Sequence, residues 1–445
     1  MVLGYHEGMK KRFAILVACM LLLSFLVVFV VRQGHRKEAK AQPVTITYWT
    51  HQDDARASLE KELIASFLEQ NPNVQINRIE HTSAEQIDLV PRAFAAGQGP
   101  DIFNMPVENE CPLISKGYVA PVDYHAAGFE SLSDIEDTYI DGVFDAITVK
   151  NEIYGLPLEY TNWCVYLNKE AFSSIGLDAQ KDYPRTWEDV VALSLKMVKR
   201  DGTVLKRRGF DFRYPYYLNF LVPMVEQLGG KLVSDDGRIA IIGEDAWINV
   251  LTFMQQWGPG GLNLGSPTYK NARSSFSGKD ASAAMALSGL YQESRMQKQY
   301  PDFYESGEWM VVPFPVFKDA VNTVAAASYA HYYMVNAKSS PETQKMAWKL
   351  IGFMLSHSEA YLSRASLVQP TKELINSSVL RNVPYSDVFI NDLNRSHLIY
   401  HGPDSSRVQS LLATAVESVM LSGVSPEKAY ATLKASMQEI LDEQK

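Results

Sequence analysis

The stretch "VTITYWTHQDDARASLEKELIASFLEQNPNVQINRIEH", residues 44–81, sets the expectation for the fold. Its first seven residues alternate and favour β-branched side chains, the pattern of a strand. From Asp54 the spacing changes: Leu59, Leu63, Phe67 and Leu68 form a helical stripe that Pro72 stops. "VQINRIEH" (74–81) is a strand again. "SAEQIDLVPRAFAAGQGP" then reads as a helix broken at Pro91, and "DIFNMP" (101–106) as a third strand end. Strand, helix, strand, helix, strand is the order of a parallel α/β sheet with right-handed crossovers. Ligands of such sheets sit beyond the carboxyl ends of the strands, here Trp49 to Asp53 and Asn104 to Glu108.

At 445 residues the chain exceeds one ordinary core, so two lobes and a leader are expected. The 46% apolar and 21% charged fractions are those of a packed globular protein rather than a disordered one. Thr186 caps a helix in "TWEDVVALSLKMVKRDG", and "AWINVLTFMQQWGPGG" is another, ended by its glycines. Residues 342–366 and 405–444 supply the late helices. No internal repeat is present, which favours lobes built by one chain crossing back and forth.

Lys10, Lys11 and Arg12 precede an uncharged apolar run of 19 residues, 13–31. Three fates are open to this leader. It can be cleaved at "AKAQ" (39–42), lipidated at Cys19 within "LVAC", or retained as an anchor, since its length nearly spans a hydrocarbon core of about 30 Å. Each puts residues 42–445 outside the cytoplasmic membrane. An oxidising compartment permits a bridge between Cys111 and Cys164, with two separate buried thiols as the alternative.

Seven of the 42 basic and two of the 51 acidic residues precede Gln42, which leaves the remainder with a net charge of −14. That field repels phosphate backbones, and the one basic cluster, "KRDGTVLKRRGF" (199–210), has the look of a solvated loop, so nucleic acid is not expected as a partner. His397 and His401 stand four apart in "HLIYH" but lack the glutamate of a zincin, and they read as surface residues; no metal or other cofactor is expected. "LSGLY" (287–291) is half of a nucleophile elbow. Carboxylates such as Asp53, Asp54, Asp101, Glu108 and Glu159 can pair at glycosidase spacing or hold sugar hydroxyls. Aromatics gather at segment ends: Trp49, Tyr160, Trp163, Tyr216, Tyr217, Tyr291 and Tyr329. Such rings pack in cores, and they also stack on the C–H face of a pyranose.

Taken in order, "FLEQNPNVQI", "AAGQGPDIF", "LISKGYVAPVD", "EIYGLPLEYTNWCVYLNKEAFSSIGLD", "FSGKDASAAMALSGLY", "VVPFPV" and "LVQPTKELI" resemble the family-1 extracellular solute-binding proteins of bacterial ABC transporters, from about Val44 onward. The resemblance implies a periplasmic-binding-protein type II-like α/β fold of two lobes, each a mixed, mostly parallel sheet flanked by helices, with a ligand cleft between them. It implies one lobe from 42–159 plus about 332–376 and another from 160–331 plus about 377–445, with 1–41 as signal peptide or anchor. The Gly-Leu-Pro corner at 155–157 becomes a crossover between lobes, stiffened by Pro157.

Carried over position by position, the resemblance nominates Trp49, His51, Asp53, Asn104, Glu108, Glu159, Tyr160 and Asn162 as ligand contacts. It adds Tyr216, Asn219, Ser288, Gly289, Tyr291, Ser328, Tyr329, His331 and Gln369. Met105, Glu108 and Leu290 replace residues common in the sugar binders, which argues against a maltodextrin. The implied protein is a monomeric, non-enzymatic binding component that closes on a small polar solute, with carbohydrate the leading class and glycerol phosphate or polyamine as others. It then passes the solute to membrane permease subunits. A secreted glycoside-processing enzyme and an anchored sensory binding protein are the alternatives. Arg56, Arg92, Arg273 and Arg295 are candidates to give the cleft a charge that net composition does not reveal.

Overall fold

The computed structural model describes residues 43–268, 276–277, 281–399 and 402–444. The leader, with its apolar run, Cys19 and the 39–42 signal, lies outside them, as do Arg273 and His401. Among the described residues, no helix is long and apolar enough to cross a membrane.

The opening stretch forms β1 (Val44–His51), α1 (Asp54–Gln70) and β2 (Val74–His81). Asp53 caps α1, its Oδ1 accepting from the Arg56 amide at 3.1 Å. Leu59, Leu63 and Phe67 are buried as the stripe requires, while Leu68 is only half-buried. α2 (Ser83–Ala95) runs through Pro91 instead of breaking there. A capping box between Thr82 and Glu85 fixes its start, and Val90 and Phe94 bury on either side of the proline, so packing offsets the lost hydrogen bond. β3 (Ile102–Pro106), α3 (Val107–Ser115), β4 (Val119–Ala120) and β5 (Leu156–Thr161) follow.

The chain then builds a second sheet. Its elements are β6 (Cys164–Asn168), α4 (Trp187–Met197), β7 (Lys199–Asp201), β8 (Val204–Asp211) and α5 (Tyr217–Gln227). α6 (Glu244–Trp257), β9 (Ala283–Ser288), α7 (Gln292–Gln299) and β10 (Trp309–Val312) complete it. The strand order is β10-β6-β9-β8-β7.

β11 (Tyr329–Asn336) returns to the first sheet, whose order is β2-β1-β3-β11-β4, with β5 also paired to β11. After it come α8 (Pro341–Leu355), α9 (Ser358–Ala365), α10 (Ser386–Leu393), α11 (Ser405–Leu421) and α12 (Pro426–Glu443). α11 and α12 pack on each other and on α6, and α10 packs against β6.

Both sheets are mixed, and their parallel share is lower than expected. β1 is parallel to β2 and β3, and β8 to β9; the other pairings are antiparallel. The cause is the strands that join the sheets: β6 and β11 arrive from the opposite side and must run against their neighbours. Thr161 pairs with Tyr329 and Leu156 with Tyr333, both within the first sheet. The expected crossings at 159/160 and 331/332 therefore fall inside paired strands, and the chain changes sheet at Asn162-Trp163 and ahead of Tyr329.

Cys111 and Cys164 form no bridge. Both are free and buried: the Cys111 thiol donates to the Ala146 carbonyl, and the Cys164 thiol lies 3.6 Å from Asp392 Oδ2. Residues on helices and strands of different sheets are not brought within disulfide reach here.

The first sheet is organised around an ionic group that hydrophobic spacing does not anticipate. Glu60, wholly buried on α1, accepts from Arg78 Nε at 2.8 Å, Tyr333 Oη at 2.5 Å and Tyr48 Oη at 3.1 Å. Arg56 Nε lies 3.8 Å from it. Removing one member of such a set leaves an uncompensated charge, so Glu60→Ala is expected to lower unfolding free energy by about 3–5 kcal/mol in a denaturant titration. In the second sheet β8 presses on α4 at Gly209, where an added Cβ would lie 2.2 Å from Ser194 Cα. Gly209→Ala is expected to cost about 1–3 kcal/mol through overpacking, read as a lower thermal midpoint.

Candidate ligand-binding site

A cavity lies between the two sheets, at the carboxyl end of β1. His51, Asp53, Arg56 and Glu159 line it from the first sheet and α1, with Tyr329 on β11. Arg213, Tyr291 and Arg295 close it from the other side. Its volume is ≈ 10 Å³, enough for about one water. The inner part of the cleft is therefore filled by the protein's own side chains, and beside it along the same seam lies a hollow of ≈ 270 Å³ lined by Asp53, Thr82, Arg295 and Lys298. Larger hollows of ≈ 430 Å³ beside His397 and ≈ 800 Å³ beside Phe353 are lined by neither large sheet.

Two contacts tie the lobes across the seam. Arg295 Nη2 reaches Asp53 Oδ2 at 3.4 Å, and Lys298 Nζ donates to the Asp54 carbonyl at 2.5 Å. Both cations belong to α7, and both acceptors to the start of α1, where Asp53 is already fixed as the cap.

Arg213 is the cation at the centre of the second wall. It follows β8 with a φ of 60°, is 4% exposed, and donates from Nη1 to Ser288 Oγ at 3.1 Å. Its guanidinium lies 4.9 Å from the Trp163 ring, 5.2 Å from Tyr291 and 5.8 Å from Tyr216. Arg295 approaches the same Tyr291 ring at 4.7 Å. Each such cation–ring contact contributes about 0.5–2 kcal/mol.

Opposite them, burial pushes the Glu159 carboxyl up to about 8; Asp53 adds to the rise, while Arg295, Arg56 and Arg213 oppose it. The Tyr329 hydroxyl and His331 Nε2 are 2.6 Å apart, and the His331 ring lies 4.9 Å from that of His51. Burial holds the Tyr329 hydroxyl well above its ordinary range. Among the buried polar atoms of the lining, Glu159 Oε1, Arg213 Nε, Tyr291 Oη and Arg295 Nη1 have no hydrogen-bond partner, and Arg56 Nε has only its ion pair with Glu60.

Of the nominated residues, His51, Asp53, Glu159, Tyr291 and Tyr329 line this cavity. His331, Ser288 and Tyr216 stand one contact behind it, through Tyr329 and Arg213. Gly289 seats the Tyr291 ring, which a Cβ at that position would meet at 2.5 Å. Asn219 Nδ2 reaches the Ser328 carbonyl at 3.5 Å, so these two brace the approach to β11.

Other nominees lie elsewhere. Asn104 faces the interior, between Thr50, Tyr48 and Arg56, because every residue of β3 is buried and its parity offers no open face. Trp49 lies on His81 of the outer strand at 5.1 Å. Glu108, pushed up to about 7 by burial, accepts through its carbonyl from Ser406 of α11. Tyr160 and Asn162 line a separate apolar pocket with Leu290 and Phe389. Gln369 is buried with both amide atoms unpaired and belongs to neither lining.

Of the four candidate arginines, Arg56 and Arg295 line the cavity, and Arg92 pairs with Asp88 on the surface of α2. Arg213 was missed. Its signal is an arginine directly before "YPYY", a loop of aromatics able to enclose its charge. Among the described residues no set of three His, Cys, Asp or Glu is arranged to hold a metal.

The sequence pattern of bacterial extracellular solute-binding proteins matches residues 49–361. An arabinooligosaccharide-binding protein of Halalkalibacterium halodurans is 21% identical over 336 residues, 69% of this chain and 70% of that protein. The fold matches an ABC transporter solute-binding protein of Thermotoga lettingae bound with alpha-D-tagatose, with a TM-score of 0.77 and 19% identity over 89% of this chain and 100% of that one. It also matches the maltose/maltodextrin-binding domain of Bdellovibrio bacteriovorus bound to maltotriose, with a TM-score of 0.75 and 16% identity over 90% and 100% of the two chains. With two sheets closing on one cleft and that pattern spanning most of its length, the chain belongs to the bacterial extracellular solute-binding proteins, a binding rather than a catalytic family.

Proposed function

We propose that the chain is the sugar-binding component of an ABC importer, held outside the cytoplasmic membrane and delivering its solute to membrane permease subunits. The observation that carries this reading is the convergence of Glu159 Oε1, Arg213 Nε, Tyr291 Oη and Arg295 Nη1, all buried and unpartnered, on one cavity beside aromatic faces. Buried polar atoms are ordinarily satisfied, so four in one place mark a site for a ligand rich in hydroxyls. The Tyr291 and Tyr329 rings offer the apolar face that a pyranose needs. The sugar-binding relatives support the class of solute. The seam contacts from α7 to α1 are the parts that closure brings together, and a solute touching both walls shifts the population toward that state. The apolar run 13–31 would keep the protein at the membrane or direct its export.

A panel of mono- and oligosaccharides is expected to raise the thermal midpoint for at least one sugar, recovered chemically unchanged. A ligand at a hundred times its Kd adds about 2.7 kcal/mol. Tyr291→Ala is expected to weaken that sugar about tenfold. Cleavage of the sugar, or stabilisation by non-sugar solutes alone, sinks the reading.

Glu159 predicts a pH signature. In the unfolded chain its carboxyl titrates near 4.5, in the fold near 8, so the folded state holds the extra proton. Its contribution to stability is complete below the unfolded value and is lost as pH rises through the folded one. The thermal midpoint of Glu159→Gln is therefore expected to fall less than that of the unaltered chain between pH 5 and about 9. Taking the difference between the two removes the parallel contribution of Glu108, which is raised to about 7.

A further inference from the structure

Three arginines line the cleft of a chain that is acidic overall. Net charge spread over an exposed surface is screened by salt, whereas groups packed into a buried cleft are screened far less, so the local count decides. Arg56 has Glu60 at 3.8 Å and Arg295 has Asp53 at 3.4 Å. Among the described residues Arg213 makes no ion pair, and Glu159 and Asp211 act on its guanidinium only through the field. Asp211, two residues earlier, accepts its backbone amide at 2.8 Å and spends its other oxygen on Arg208 at 3.1 Å. The guanidinium is instead held by Ser288 Oγ and the faces of Trp163, Tyr216 and Tyr291. A cation buried this deeply without an ion pair is expensive unless a partner arrives. Its Nε has no acceptor, and it lines the cavity. Glu159 shares that cavity, and burial raises its carboxyl to about 8, which weakens it as a countercharge to the guanidinium; no ion pair joins the two.

We propose that the solute selected by this cleft is an anionic sugar, whose carboxylate or phosphate group rests against the Arg213 guanidinium while its ring lies beside Tyr291. The assignment rests on the sugar-binding reading above and narrows it. The planar donor fork of arginine fits either oxyanion in bidentate fashion. Tyr291 has Arg213 at 5.2 Å and Arg295 at 4.7 Å, so an anion held beside it feels both charges.

The test is calorimetric titration of the full-length chain with matched probes: galacturonate against galactose, glucuronate against glucose, glucose 6-phosphate, and inorganic phosphate and acetate alone. An acidic sugar is expected to bind tighter than its neutral counterpart by on the order of tenfold to a hundredfold. The uronate and phosphate arms identify which oxyanion is used. Arg213→Met is expected to abolish the preference, with circular dichroism and the ligand-free thermal midpoint verifying its fold. Should that variant not fold, Arg295→Gln, nearer the surface, is expected to lose more affinity for the acidic sugar than for the neutral one. Equal binding of neutral and acidic sugars overturns the anionic assignment and leaves the sugar reading intact. Binding of inorganic phosphate or acetate as tight as that of any sugar overturns both. Binding by none of the acidic sugars overturns the proposal.

Discussion

Arg56 joins the core of the first sheet to the cleft. From α1 its guanidinium donates to Thr50 Oγ1 at 2.7 Å, to the His51 carbonyl at 2.5 Å and to Asn104 Oδ1 at 3.4 Å, while Glu60 holds its charge from behind. One side chain thereby fixes the ends of β1 and β3 and presents a positive surface to the cavity. A buried ion set of this kind contributes little net stability over well-packed hydrophobes, and its conspicuous effect is to allow few arrangements of the strand ends. The placement of His51 and Asp53 follows from it.

The two walls of the cleft have different chemistry because they are built differently. The first comes from strand ends and a helix cap, which position short polar groups rigidly. The second comes from the loop after β8 and from α7, whose long cations lie on aromatic faces. Rings hold a guanidinium without neutralising it, so Arg213 keeps its charge while Arg295 shares its own with Asp53. Oligosaccharide recognition and a demand for countercharge are compatible in such a surface.

Much of this was legible from the sequence. The strand, helix, strand rhythm of residues 44–81 and the cap at Thr186 correspond to local physics, and local physics is what sequence spacing reports, whereas the Gly-Leu-Pro stretch runs into β5 of the first sheet and is no crossover. What escaped depends on distant partners. α2 continues past Pro91 because both neighbours of that turn are buried. Asn104 turns inward because every residue of β3 is buried and neither face of that strand is open. Glu60 and Arg56 sit on the buried side of a stripe defined by its leucines, and only Arg78, Tyr333 and Tyr48, brought from three strands, make that tolerable. Tyr291 and Glu159 were nominated by residue type at segment ends and again by family resemblance, and Arg213 had neither guide.

The seam contacts from Arg295 and Lys298 have a kinetic meaning. The contacts that shut the cleft with the chain's own side chains compete with solute entry, which needs an open form. Apparent affinity is then the intrinsic affinity scaled by the open fraction, so every 1.4 kcal/mol by which these contacts favour the shut cleft weakens capture about tenfold. The same contacts slow release once solute is inside. The balance of two cations on α7 thus acts as a threshold, setting the concentration of solute below which the binder stays idle.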